Sequence, residues 1–260
     1  MRHLSCFSLI VLCGCATQTK IPAPVRAGIS ARYVGRVVEL VQSCFYGDLY
    51  DENEKWLLSP YPFSETHHIV DLNGAPIHPH GQRGIIPAGT PFLIKEIEFP
   101  DSAALAKRML TTPRYNTWIY LSRAPESRDL PAGRPLFILL LPMDLDDEAA
   151  VEKALAEVVA PQGEVTTWLT GRRPTVQAAI ANKQMVTGMS ERELTAAMGT
   201  PPRRFADKIG DNVALVLWYP SQEAWLVNGV IADIKSARAE PHMMPAMPPP
   251  APKPQPAPAL

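Results

Sequence analysis

The chain has 260 residues, 46% of them hydrophobic and 20% charged, with a formal net charge of -1. A chain of this length and composition can bury one large core or two small ones. Acidic and basic residues are interspersed, and the basic stripe that a phosphate backbone demands is missing, so no nucleic-acid partner is expected.

The N-terminus sets a basic Arg2 before an apolar run from Leu4 to Leu12, which closes on Leu12-Cys13-Gly14-Cys15. A basic start, a short apolar region and small residues before a cleavage point are the parts of a secretory signal, too short to remain as a membrane span. The stretch resembles a bacterial lipoprotein signal, with residues 1–14 removed and Cys15 acylated as the new N-terminus. Cys6 and Cys13 lie in worse settings, and Ala16 stands where the inner-membrane retention signal has Asp. The resemblance implies lipid anchoring through Cys15 at the periplasmic face of the outer membrane. Cys44 is then the one unblocked thiol of the mature chain, and no intramolecular disulfide is expected.

Residues 15–31, with Pro22, Pro24 and Gly28, read as a tether. Residues 32–142 read as a β-rich domain of short strands: Arg32 to Val41, a strand holding Cys44, Ile69 to Leu72 before an Asn73-Gly74 turn, Phe92 to Phe99, Tyr115 to Arg123 and Leu136 to Leu141. In the Phe92 to Phe99 run, Phe92, Ile94, Glu96 and Glu98 are expected on one face and Leu93, Lys95, Ile97 and Phe99 on the other. The continuously apolar run from Leu136 is expected at the centre of a sheet. Short strands with Gly and Pro turns predict a small antiparallel barrel. The turn Ile86-Pro87-Ala88-Gly89-Thr90 before a strand resembles bacterial SH3-like barrels, and that resemblance implies peptidoglycan or peptide binding.

Residues 143–173 read as a helical connector, with Asp146 or Asp147 capping a helix that carries Val151, Ala154, Leu155 and Val158 at helical spacing. A second helix is predicted over Thr175 to Met185. The run Met189-Ser190-Glu191-Arg192-Glu193-Leu194 is a capping box: the Ser190 hydroxyl accepts from the Glu193 amide and the Glu193 carboxylate reaches back to the Ser190 amide. Gly188 leads into this helix and Gly199 is expected as its left-handed cap before Pro201-Pro202. Three strands follow, Ala214 to Tyr219, Ala224 to Val227 and Val230 to Lys235, the last two joined by Asn228-Gly229 as a tight hairpin turn.

The Gly188-Met189-Ser190 start, the Met198-Gly199-Thr200-Pro201 stop, Trp218-Tyr219 and Asn228-Gly229 together resemble the BamE-like (SmpA/OmlA) lipoprotein domain over residues 174–236. That resemblance implies two helices on a three-stranded sheet and a role beside outer-membrane assembly components. The expected fold class is α+β: a small antiparallel β-barrel-like domain, then the two-helix, three-strand domain. Residues 237–260 form a proline-rich tail that favours polyproline II rather than a packed element.

No catalytic constellation stands out, and neither an enzyme nor a cofactor is expected. His67, His68, His78 and His80 cluster around the Asn73-Gly74 turn, but zinc needs three or four converging ligands, and alternation sends His67 and His68 to opposite faces. A thiol dyad of Cys44 with one of these histidines, as in cell-wall peptidases, lacks that family's Asp-Cys-Ser-Gly setting, and nothing suggests a helix N-terminus to lower the thiol pKa. The leading expectation is a lipid-anchored interaction protein contacting envelope proteins. A peptidoglycan-binding module and a metal-binding protein using the histidine cluster are the alternatives.

Overall fold

The computed structural model describes residues 19–66, 69–210 and 212–239. Its first part runs α1 (Ala23–Tyr33), β1 (Val37–Leu40), β2 (Cys44–Leu49), β3 (Glu52–Ser59), a 3-10 turn at Phe63–Glu65, β4 (Gln82–Ile86), β5 (Pro91–Glu98), α2 (Ser102–Lys107), β6 (Trp118–Arg123) and β7 (Leu136–Leu140). Then come α3 (Glu148–Val158), β8 (Val159–Pro161), α4 (Glu164–Thr170), α5 (Pro174–Ala181) and α6 (Glu191–Met198). Four strands end the described chain: β9 (Arg203–Ile209), β10 (Asn212–Trp218), β11 (Gln222–Val227) and β12 (Val230–Ser236).

The expected small antiparallel barrel does not form. β1 to β8 build one eight-stranded mixed sheet in the order β4-β2-β3-β7-β6-β5-β1-β8. β3 and β7 pair in parallel, which no run of hairpins can produce, and the long excursion from Ser59 to Leu136 makes that pairing possible. β7 lies inside the sheet between β3 and β6, and Phe137 and Ile138 are fully buried on its two faces. One face, with Phe92, Ile94, Phe137 and Leu139, packs against Ile29 of α1 and Val151 and Leu155 of α3. The other, with Leu57, Trp118 and Ile138, is covered by Phe63 and Ile69 from the segment after β3.

β5 departs from strict alternation. Its pairing with β6 shifts register between Ile94 and Glu96. The bulge advances the pleat by one residue, so Ile97 and Phe99 join Phe92 and Ile94 in the same core instead of facing away.

Residues 23–31, read as part of the tether, and Arg32 and Tyr33, read as the start of a strand, form α1. Pro22 precedes the first turn, Pro24 sits within it where a missing amide costs nothing, and Ile29 anchors the helix in the core. Arg32 pairs with Glu148 and Glu152 of α3, both at 2.6 Å.

The second correction concerns the C-terminal part. It is a four-stranded antiparallel sheet in the order β12-β11-β10-β9, not three strands. β9 carries Arg203, Arg204, Asp207 and Lys208, a composition that reads as loop. On an edge strand such charges stand in solvent, where they discourage pairing with foreign strands. The helices beside it are α4, α5 and α6 rather than two, and their shared core draws in Val41 and Ala88 from the first part of the chain. The fold is therefore α+β, with an eight-stranded and a four-stranded sheet, and not a barrel followed by a BamE-like unit. Among the described residues no helix is long and apolar enough to cross a membrane.

Candidate functional site

A concavity lies where the two cores meet. α3 ends when the amide of Val159 bonds back to the carbonyl of Leu155, and the chain then runs extended as β8 beside β1, with Leu40 opposite Val159. Gly163, at φ 86°, turns the chain into α4 in a conformation that favours glycine. Glu39 of β1 caps the start of that helix. Its Oε2 accepts from the amides of Val165 (2.9 Å) and Thr166 (3.0 Å), and its Oε1 accepts from the Thr166 hydroxyl at 2.7 Å. A buried carboxylate is tolerated here because three donors and the positive end of a helix face it.

From the other side α6 is fixed by the amide of Ser43, which donates to the carbonyl of Ala196 at 2.8 Å. Between α4 and α6 a groove of about 530 Å³ remains. Its surface includes the short side chains of Ala156, Ala160, Thr195 and Ala196 beside Val41. Trp168 lines it as well. The Arg192 guanidinium lies 4.5 Å from the indole and that of Arg172 5.5 Å away, within cation-π range. Glu164 and Glu191 add acidic groups, and Arg204 pairs with Glu191 at 2.7 Å.

A second hollow, about 370 Å³, shares Ala156 and Ala160 and adds Tyr33, Arg36 and Pro161. The two concavities thus flank β8, the edge of the large sheet. Strand addition is disfavoured at this edge, because the Val159 amide is used by α3 and Pro161 has none. The lining of the groove combines apolar surface with the charges of Glu164, Glu191 and Arg192 and the hydroxyl of Thr195.

Directly behind the groove lies a buried polar cluster. The Ser43 hydroxyl donates to the carbonyl of Ile180 at 2.7 Å and accepts from the amide of Ala88 at 2.9 Å. Lys183 sends its ammonium to the carbonyls of Ser43 (2.7 Å) and Ala197 (2.8 Å), and the ring of Phe45 lies 5.0 Å away. Burial disfavours the charged amine and pulls its pKa down to about 8. Cys44 is 1% exposed, and burial pushes its thiol up to about 12. At neutral pH that thiol is protonated and acts as a small core residue. Sequence reasoning missed Lys183, since a lysine after Asn182 at the end of a short helix reads as solvent-exposed.

The other singled-out residues fall as follows. Cys15, His67, His68 and the tail from residue 240 lie outside the described residues. His78 Nδ1 is 3.2 Å from the Thr66 hydroxyl, while His80 is exposed. Among the described residues no three His, Cys, Asp or Glu side chains gather in a way that could hold a metal ion. Ser190 caps α6 with both bonds of the capping box present, and Glu193 sits buried behind it. Gly188, at φ 80°, donates its amide to the carbonyl of Ile231 at 2.7 Å, tying the entry of α6 to β12. Gly199 is not the expected left-handed cap. At φ 90° and ψ 178° it occupies a region essentially reserved for glycine, and a Cβ there would stand 2.9 Å from Pro60 Cβ. Asn228 and Gly229, at φ 52° and 79°, form the tight turn between β11 and β12.

Comparison with protein-family models, curated proteins and solved structures found no match to this chain.

Proposed function

We propose that this chain is a lipid-anchored interaction protein of the bacterial cell envelope, held through Cys15 at the periplasmic face of the outer membrane. Its groove between α4 and α6 receives an extended segment of an envelope protein. The observation that carries this reading is the groove itself: small side chains leave room for another chain, and the Trp168 indole offers a flat apolar contact. Aromatic and arginine side chains are the types that dominate binding energy at protein interfaces. Charges of both signs around the groove favour a partner with complementary charges flanking an apolar side chain.

Anchoring supports the same reading. A weak contact suffices when the protein is confined to a surface, because confinement raises the effective concentration of partners in the same membrane. The BamE-like fold is absent, so the partner class rests on the groove and the anchor, not on that family's assembly role.

The test is site-specific photo-crosslinking from Thr195 in the full lipidated chain, in intact envelopes. A discrete adduct with an envelope protein is expected, lost in Trp168→Ala and in Cys15→Ala. An adduct pattern indifferent to both substitutions, or no adduct at all, would overturn the proposal.

A further inference from the structure

We infer that the chain meets the bilayer through one defined face, the surface around Thr19 that bears Leu72, Tyr115 and Met143, and that this contact turns the α4–α6 groove away from the membrane. The inference rests on the reading of Cys15 as the lipidated residue.

Covalent geometry sets the first limit. Cys15 lies four residues before Thr19, so the acylated residue stands at most about 14 Å from it. Thr19 is not a free end: its amide donates to the carbonyl of Pro100 at 3.1 Å, and Ile21, two residues on, is buried in the main core. A lipid at Cys15 therefore draws one particular part of the fold against the headgroups.

That part carries the right side chains. Thr19 and Pro100 line a hollow of about 300 Å³ together with Lys20, Leu72, Tyr115 and Met143. Leu72 is 53% exposed at the tip of a turn, a position that core packing does not explain. The loop leading into Tyr115 also carries Met109 and Leu110, the latter 83% exposed. Exposed aliphatic side chains and a half-buried tyrosine suit the boundary between headgroups and acyl chains. Charge does not drive the contact, because Lys20 is paired with Asp146 at 2.9 Å and Asp144 lies beside it. Attraction to anionic lipid is thus weak, and the contact is apolar, made with an ordinary phospholipid surface.

The orientation follows from β5. At its start Pro91 pairs with Glu39, which caps α4 at the groove end; at its far end the chain reaches Pro100, which holds Thr19. An extended stretch of that length spans about 25–30 Å. The groove accordingly faces the periplasm when Thr19 faces the bilayer.

The experiment uses the full lipidated chain reconstituted in vesicles of phosphatidylethanolamine and phosphatidylglycerol. A fluorophore is placed at Leu72→Cys or, separately, at Thr195→Cys; Cys44 is buried and does not compete for label. Vesicle lipids carry a quencher at the headgroup–acyl boundary. The Leu72 label is expected to lose most of its fluorescence and the Thr195 label to keep it, with the same pattern when phosphatidylglycerol is left out. Equal quenching at both sites would overturn the inference, as would a Leu72 label that lipid quenchers miss. Shielding of that label from a water-soluble quencher without lipid quenching would indicate a protein on this face instead, and would also overturn it. Mass spectrometry of the N-terminal peptide separates the two readings: absence of acyl groups on Cys15 defeats the anchor itself, whereas an acylated chain with an unquenched Leu72 label defeats only the face.

Discussion

The ammonium of Lys183 donates to the carbonyl of Ser43 at 2.7 Å across a separation of 140 residues. This bond joins the loop between β1 and β2 to the end of α5, and a second bond from the same ammonium reaches the carbonyl of Ala197 at the end of α6. One buried cation thereby collects carbonyls from both parts of the fold, directly behind the groove.

Lys183 makes stability pH-dependent in a defined direction. Its pKa in the folded chain, about 8, lies below its ordinary 10.5, so between these values the unfolded chain binds more protons. Stability attributable to this group therefore rises with pH across that window, by at most about 1.4 kcal/mol per unit. The difference in unfolding free energy between the parent chain and Lys183→Met, measured by denaturant titration at pH 7.5, 8.5 and 9.5, should grow with pH in favour of the parent. A constant difference would show that Lys183 titrates as in water.

Removing the carboxylate at position 39 should loosen α4. Glu39→Gln keeps an acceptor but loses the charge at the helix start, and we expect a loss of about 1–2 kcal/mol. Glu39→Ala leaves two amides and a hydroxyl without their partner, for about 2–4 kcal/mol. Denaturant midpoints read both, and hydrogen exchange at Val165 and Thr166 should rise first.

Gly199→Ala combines a backbone conformation that L-residues rarely adopt with a Cβ pressed on Pro60. The carbonyl of Gly199 also accepts from the Tyr219 hydroxyl at 2.9 Å, so the backbone is held in place from the sheet side as well. A cost of about 2–4 kcal/mol is expected. A thermal midpoint equal to that of the parent would mean that this turn relaxes freely.

Ser190→Ala removes the side-chain half of the capping box and should cost about 1 kcal/mol. Ser190→Thr should restore most of it, since its hydroxyl can accept from the same Glu193 amide. Equal midpoints for all three chains would contradict a working cap.

Much of the local structure could be read from single segments. The capping box at Ser190, the Asn228-Gly229 turn, the cap at Asp147 and the interior position of the Leu136 run all depend on residues a few positions apart or on one unbroken apolar stretch. Cys44 was legible as a buried strand residue for the same reason.

What the tertiary structure decided depends on partners distant in the chain. α1 is held by Ile29 in the core and by Arg32 on α3, neither of which its weak helical pattern announces. β8 is a strand only because β1 offers it an edge, and β9 only because β10 stands beside its charged side chains. The parallel β3–β7 pairing turned a would-be barrel into an open mixed sheet. The groove is of the same kind: Ala156, Trp168 and Arg192 are unremarkable in their own segments and meet only where the two cores pack. Sequence by itself determined the short-range geometry and the apolar stretches; which surfaces meet was decided by burial and long-range hydrogen bonding, whose partners no local pattern encodes.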